Sequence, residues 1–341
     1  MSEKRELKET LLFEKNHRIH GGIYHKMQVD FSYNSNHIEG SRLTHEQTCY
    51  IFETQSVDGA VFVNDVFETA NHFRCLDWVL DTISEPLSEE YVKQMHRILK
   101  AGLMTQQNPE VVIGDYKKYA NVVGGIETAK PGEVSAQMAQ LLQTYQNLQQ
   151  PDFYEIAWFH MAFEKIHPFY DGNGRTDRFI SSYLLSKELN SLIGYHISYT
   201  IKENINKYYN AFDTCNHPLN KGDLTPFAEM FLSLVDISMK QLYDEIKSRL
   251  DKLNFYRGVC PILPNADHKD IVTLYYVLIQ AALFSEDGIS QKELEDFLNA
   301  SYSSVRNKLS SIPADLLIKN TRERHAYYML DLDKVDIMFS K

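Results

Sequence analysis

Residues 167–178 read HPFYDGNGRTDR, a histidine, an acid, two glycines around an asparagine and two arginines within twelve positions. The run that follows, RFISSYLLSKEL, repeats apolar residues three and four apart, so a helix is predicted over 174–189, starting at the glycines. The backbone N–H groups of Gly172, Asn173, Gly174 and Arg175 then fall where an α-helix leaves its donors unpaired, which makes a ready anion site. Arg175 and Arg178, three apart, share a face of the first turn and can add charge-assisted donors to a polyphosphate. Asp171 stands where a hard cation bridging phosphate oxygens would need a carboxylate, and Mg²⁺ characteristically takes one carboxylate plus phosphates and water. His167 places an imidazole where a proton would leave an incoming hydroxyl. DGNG alone is also an ordinary hairpin turn. An EF-hand loop, a dinucleotide fingerprint, a Walker loop and a zinc HExxH all fail on residue identity; it is the whole constellation that favours chemistry.

Outward from this stretch, helical spacing recurs over 66–82, 88–100, 132–149, 153–166, 201–214 and 224–252, while strand signals are scarce before residue 255. The body is therefore read as mainly α. Between 104 and 132 the pattern fails, and glycines between short Val/Ile runs predict a loop holding a small hairpin. Near residue 255 a second unit begins. It has a helix over 268–284, a turn at Asp287-Gly288, a helix capped by Ser290 with Glu293, a helix over 301–311, and strand-like LLIKN and AYYML segments separated by TRERH. That order is the order of a winged helix-turn-helix.

The 341 residues carry 35 Lys and Arg against 46 Asp and Glu, a formal charge of −11, so no global basic field advertises nucleic acid or an anionic membrane. The longest mostly apolar stretch, TLYYVLIQAALF, is too short to span a bilayer, and the charged N-terminus lacks the apolar core of a secretory signal. Cys49, Cys75, Cys215 and Cys260 are widely spaced, which reads as reduced thiols in a cytoplasmic protein.

HPFYDGNGRTDR resembles the HxFx[DE]GNGRxxR motif of the Fic (filamentation induced by cAMP) family at every defined position. FHMAFEKIHPF, GDYKKYANVVGGI, YYNAF and GDLTPF extend the likeness to about residues 30–250. The resemblance implies a Fic-type helical core with a small β-hairpin flap, which with the C-terminal winged helix-turn-helix gives three regions. These are 1–100, with an inhibitory helix near 34–40; 101–252, the core; and 255–341, the winged helix.

It also implies transfer of AMP from ATP to a Ser, Thr or Tyr hydroxyl of a target protein, the chain itself included, with release of pyrophosphate. His167 would be the base and Asp171 the Mg²⁺ ligand. Gly172, Asn173 and Gly174 would bind the phosphates, Arg175 the β-side and Arg178 the γ-phosphate. Tyr208, Tyr209 and Asn216 would line the adenine site, with Asn220 as a substitute for Asn216. The flap at Asn121, Val122 and Val123 would pair with an extended target segment by strand addition. The flap's usual arginine is Lys117 here, which leaves that contact open.

Upstream, NSNHIEGSRLT (34–44) reads by itself as a short helix ended by Gly40. It resembles the [ST]xxxE[GN] inhibitory motif of class II Fic proteins through Ser35, Glu39 and Gly40. The implied role is an ion pair of Glu39 with Arg178 that holds ATP in an unproductive pose; orienting a water for removal of AMP is a second implied use. In the C-terminal unit, residues 301–330 carry Arg306, Lys308, Lys319, Arg322 and Arg324 against Asp315 and Glu323. That local sign reversal suits phosphate contacts, so a DNA-binding regulator using the Fic body as a nucleotide sensor is the alternative reading.

Overall fold

A computed structural model describes residues 11–12, 14–16, 22–103, 112–149, 151–189, 191–285, 288–322 and 325–339. Part of the loop expected over 104–132 (residues 104–111), Asp287 of the expected turn, and Glu323 and Arg324 of the basic segment lie outside them. The fold is mainly helical, as its sequence patterns predict. The chain divides into two compact units, Gln28–Leu242 and a second formed by Tyr243–Lys341 with Met1–Met27.

The first unit holds most of α1 (Ile23–Ile38), α2 (His45–Thr54), α3 (Val63–Asp81), α4 (Glu89–Leu99) and α5 (Pro131–Gln146). It continues with α6 (Phe153–Ile166), α7 (Asn173–Glu188), α8 (Ser191–Glu203), α9 (Ile205–Asn216) and the start of α10 (Thr225–Val259). A two-residue hairpin, β1 (Val122–Val123) with β2 (Ile126–Glu127), pairs Val122 with Glu127 and Val123 with Ile126. Between the strands Gly124 and Gly125 both adopt positive φ (56° and 82°), which a two-residue hairpin loop requires.

Helix α7 is the centre of this unit and packs against α8, α6 and α4. It is buried on almost every side, including the polar positions Asn173, Arg175, Asp177 and Arg178. Apolar residues from its neighbours, among them Phe159, Phe163, Phe169 and Tyr195, close the core around it and its own Phe179. Two of the neighbouring helices start at chemically suited residues: Asp152 and Glu155 form a capping box on α6, and Ser88 caps α4 through the Tyr91 N–H.

The helix expected over 201–214 is two: α8 ends at Glu203, and α9 begins at Ile205 after Asn204, whose N–H bonds back to Thr200 and Ile201 carbonyls. The pattern expected to stop at 252 continues to Val259. The C-terminal unit contains α11 (Lys269–Phe284), β3 (Ile289–Ser290), α12 (Gln291–Leu298), α13 (Tyr302–Ser310), β4 (Leu317–Arg322), β5 (His325–Leu330) and α14 (Leu332–Phe339). Its three strands form an antiparallel sheet in the order β3-β5-β4, with Ile289 opposite Tyr328 and Leu317 opposite Leu330. Ser290 and Glu293 make the expected capping box at the start of α12.

Candidate functional site

The turn between α6 and α7 assembles the site. His167 ends α6 in the left-handed conformation (φ 50°, ψ 62°), an uncommon state for a residue with a side chain. Asn173 then holds the turn closed: its Oδ1 accepts from the Phe169 N–H at 2.8 Å and its Nδ2 donates to the Phe169 carbonyl at 2.8 Å. This leaves the backbone N–H of Asn173, and not its side chain, to face a ligand. The first intrahelical bond is Thr176 N–H to Gly172 O at 3.1 Å, so the amides of Asn173, Gly174 and Arg175 precede the helical ladder.

Arg178 is 1% exposed and meets three oxygens of α1 and the turn after it. Nη2 donates to Glu39 Oε1 at 2.8 Å and to the Ser35 carbonyl at 2.9 Å, and Nε donates to Ser35 Oγ at 3.1 Å. Burial pushes the Glu39 carboxyl up, but Arg178 and Arg175 outweigh it and hold the group below the usual carboxylate range. Gly174 lies under this pair: a Cβ there would sit 2.5 Å from Glu39 Oε1 and 3.0 Å from Arg178 Nη1. Only glycine lets the carboxylate approach α7 so closely.

Asp171 and Arg175 are joined by two residues that the sequence reading does not single out. Lys100 Nζ donates to Asp171 Oδ2 at 2.6 Å, and lies 3.4 Å from Glu68 Oε1, which is 2.6 Å from Arg175 Nη1. The result is a chain of alternating charge, Asp171–Lys100–Glu68–Arg175, in which Lys100 and Arg175 are 4% and 5% exposed. Asp171 keeps its side chain 57% accessible, and Oδ1 accepts from the Gly172 N–H at 2.7 Å. Although burial works against the charge, Lys100 and Arg175 hold the Asp171 carboxyl below its ordinary range. An ionised, solvent-facing carboxylate beside free helix amides is a donor set that suits Mg²⁺ bound together with phosphates. His96 supports the turn from beneath, stacked on Phe169 at 3.8 Å between ring centroids. Because the Gly114 N–H donates to its Nδ1 at 3.0 Å, Nε2 carries the proton and donates to the Asp171 carbonyl at 2.9 Å.

A cavity of about 490 Å³ opens beside this turn, lined by His167, Gly174, Arg178, Glu39, Tyr208, Tyr209, Asn216 and the hairpin residues Val123 and Ile126, among others. Asn216 lines it and Asn220 does not; Asn220 instead donates to the Cys215 and Asp223 carbonyls. Asp171, Gly172, Arg175, Ser35, Gly40, Asn121 and Val122 stand outside its lining. Gly40 takes φ 88° in the turn after α1, and Val122 is 62% exposed on the hairpin. His167 Nδ1 lies 3.3 Å from Glu164 Oε2, a cavity-lining carboxylate also absent from the sequence reading. Behind the cavity His160 bonds Ser181 Oγ at 2.8 Å and the Tyr208 hydroxyl at 2.7 Å, with Asp177 Oδ2 3.1 Å away. Burial, with the charge of Arg178, pushes the imidazole down to about 3, and burial raises the Asp177 carboxyl well above its usual range. Burial thus works against the charged form of both groups.

A helix N-terminus opened by glycines, with two arginines on its first two turns, belongs to the class of sites that take anionic, phosphate-like groups. Residues 86–185 match the Fic/DOC family, and the chain carries a Fic domain. Among curated relatives, a protein adenylyltransferase Fic of Aedes aegypti is 27% identical over 205 residues, covering 58% of this chain and 38% of that protein. A protein of the same name from Drosophila willistoni is 28% identical over 201 residues, covering 57% and 37%. The chain thus spans well under half the length of these relatives. Among solved structures, a Fic family protein from Desulfovibrio desulfuricans G20 superimposes with a TM-score of 0.56 at 20% identity, over 90% of this chain and 86% of that one. Fic-1 (residues 134–508) from C. elegans gives 0.52 at 18% identity, over 72% and 74%. Both show the same fold.

Proposed function

We propose that the chain transfers the AMP part of ATP to a Ser, Thr or Tyr hydroxyl of a protein, itself included, and that Glu39 restrains the reaction. The observation that carries this reading is the double engagement of Arg178. It stands on the second turn of α7, where the γ-phosphate is expected, yet its guanidinium is occupied by Glu39 and Ser35. In the reaction the target oxygen bonds to the α-phosphorus, the bond from that phosphorus to the oxygen bridging to the β-phosphate breaks, and pyrophosphate leaves. His167 takes the hydroxyl proton, an effect worth roughly 10²–10⁴ in rate. The amides of Gly172 to Arg175, with Arg175 and Arg178, hold the phosphates; Tyr208, Tyr209 and Asn216 hold the adenine. Asp171 would hold Mg²⁺, which when bound would neutralise charge developing on the phosphates. The exposed hairpin edge at Asn121–Val123 would take an extended target segment.

An exposed ion pair contributes only about 0–1 kcal/mol, whereas a hundredfold restraint needs about 2.7 kcal/mol. Burial of Arg178 and its two further bonds to Ser35 supply a setting in which the larger figure is reasonable. Glu39→Gly is expected to raise self-AMPylation from labelled ATP by about a hundredfold, and His167→Ala to abolish it. Equal labelling of the wild type and Glu39→Gly would sink the restraint. Glu39 can also orient a water for the reverse task, which release of AMP from a modified copy of the chain in Mg²⁺ would reveal.

The regions 1–100, 101–252 and 255–341 serve in this reading as regulatory helices, catalytic core and winged helix. The C-terminal order of helix, strand, two helices and a strand pair supports the last, with Arg306 exposed on α13 and Lys308 bound to Asp270 at 2.5 Å. A mobility-shift assay at physiological salt with competitor DNA separates DNA binding from protein docking. Cys75, Cys215 and Cys260 are buried outside any disulfide, which fits a cytoplasmic setting, and no described helix is long and apolar enough to cross a membrane.

A further inference from the structure

We propose that Lys117 is a positioning residue that fixes the β1–β2 hairpin in register with His167, an inference that rests on the function proposed above. Lys117 is 4% exposed, and its ammonium donates to three oxygens from three separate segments. Asn121 Oδ1, immediately before β1, lies at 2.8 Å; Thr128 Oγ1, immediately after β2, at 2.6 Å; and the Ile166 carbonyl at 3.1 Å. The backbone N–H of Lys117 donates to the Pro168 carbonyl at 2.8 Å. One residue thus grips both feet of the hairpin and the carbonyls on either side of His167. Asn121 repeats the link, donating from Nδ2 to the Phe169 carbonyl at 3.2 Å.

The hairpin has little else to locate it. Its strands are two residues long, and Val122, Val123 and Ile126 point to solvent at 62%, 44% and 39% exposure. A hairpin of this size is not stable alone in water. Its placement must come from its feet, where Lys117 stands.

All three side-chain partners of Lys117 are neutral oxygens, and burial lowers its ammonium to about 8. Burying a charge without a carboxylate is unfavourable, so the arrangement is informative where it persists. An ammonium presents three donors in a tetrahedral spread, as three convergent oxygens require, whereas a guanidinium is a planar fork. A target strand laid on this hairpin would therefore have its hydroxyl delivered to His167 at a distance that Lys117 sets.

The test compares Lys117→Met, Lys117→Arg and Thr128→Val, each in the Glu39→Gly background, with the His167→Ala copy of the chain as acceptor. Lys117→Met is expected to bind a non-hydrolysable ATP analogue within twofold of its parent by calorimetry, which also shows that it folds. Amides 121–128 should exchange hydrogen at least tenfold faster, and AMP transfer should fall at least tenfold through a raised KM for the acceptor. Thr128→Val should move both in the same direction by less, and Lys117→Arg should recover part of the loss. Unchanged exchange in the hairpin, or faster exchange with undiminished transfer, overturns the inference. If the Glu39→Gly parent transfers no AMP, the proposed function fails on that result, and hairpin exchange alone then judges Lys117.

Discussion

At the residue scale, the proposed restraint reduces to what Arg178 is bonded to. Its three contacts are unequal in kind: Glu39 contributes charge, Ser35 Oγ one hydrogen bond, and the Ser35 carbonyl a bond that no side-chain substitution removes. A hydrogen bond to a charged group is worth about 1.5 kcal/mol or somewhat more. Ser35→Ala is therefore expected to raise self-AMPylation by about tenfold, less than Glu39→Gly, and to add little on top of Glu39→Gly. The measurement is incorporation from labelled ATP in the two single variants and the double. A Ser35→Ala effect equal to that of Glu39→Gly would mean that the serine, not the carboxylate, holds the arginine.

At the element scale, the unusual feature is a helix whose charged first turns face the interior. Helix α7 can bury Arg175 because α3 supplies Glu68, a carboxylate that Lys100, the residue after α4, also approaches. Removing one partner of a buried pair leaves an uncompensated charge, at a cost of about 3 kcal/mol. Glu68→Gln is expected to lower unfolding free energy by roughly that amount in a denaturant titration, while the isosteric amide preserves packing. A loss under about 1 kcal/mol would show that Arg175 and Lys100 find water or other partners in the variant.

Reading these elements from sequence succeeded where periodicity and local geometry coincide, as for α3 to α7 and α11 to α13. It failed at 191–216 in two places. The helix from Ser191 was missed, and in it Gly194 is a point of close approach: a Cβ there would be 2.3 Å from Ser186 Oγ and 2.6 Å from the Ser182 carbonyl. The break at Asn204 is invisible because Ile201, Ile205 and Tyr208 keep helical spacing across it. Lys100, Glu68 and Glu164 escaped for a different reason. Single charged residues on amphipathic helices look like solvated faces until packing turns them inward.

At the scale of the whole unit Gln28–Leu242, the buried histidines make stability depend on pH. Burial lowers His160 to about 3 and His96 to about 4, and drives His72 well below its usual value. Their unfolded counterparts take up protons below about 6.5. Between pH 6.5 and about 4 the unfolded chain therefore binds protons that the folded unit refuses, and stability falls with pH. Glu39 and Asp171, held below the carboxylate range, add to the loss once pH drops below about 4.5. Asp177 acts oppositely, since its raised folded pKa gives stability that grows on acidification. Three histidines against one acid predict a lower unfolding midpoint at pH 5 than at pH 7 in thermal melts. A midpoint unchanged over that interval would show that the imidazoles are not held neutral.

The twelve residues from His167 to Arg178 determined by themselves the turn, the start of α7 and the set of groups offered to an anion, because each of those depends only on near neighbours in the chain. What the sequence left open was which groups are occupied. Glu39 reaches Arg178, Lys100 reaches Asp171, and Lys117 ties the hairpin to the carbonyls flanking His167, all across long separations in sequence. Only the tertiary structure could decide these pairings. They depend on burial, which removes water as a competing partner and fixes which charge faces which.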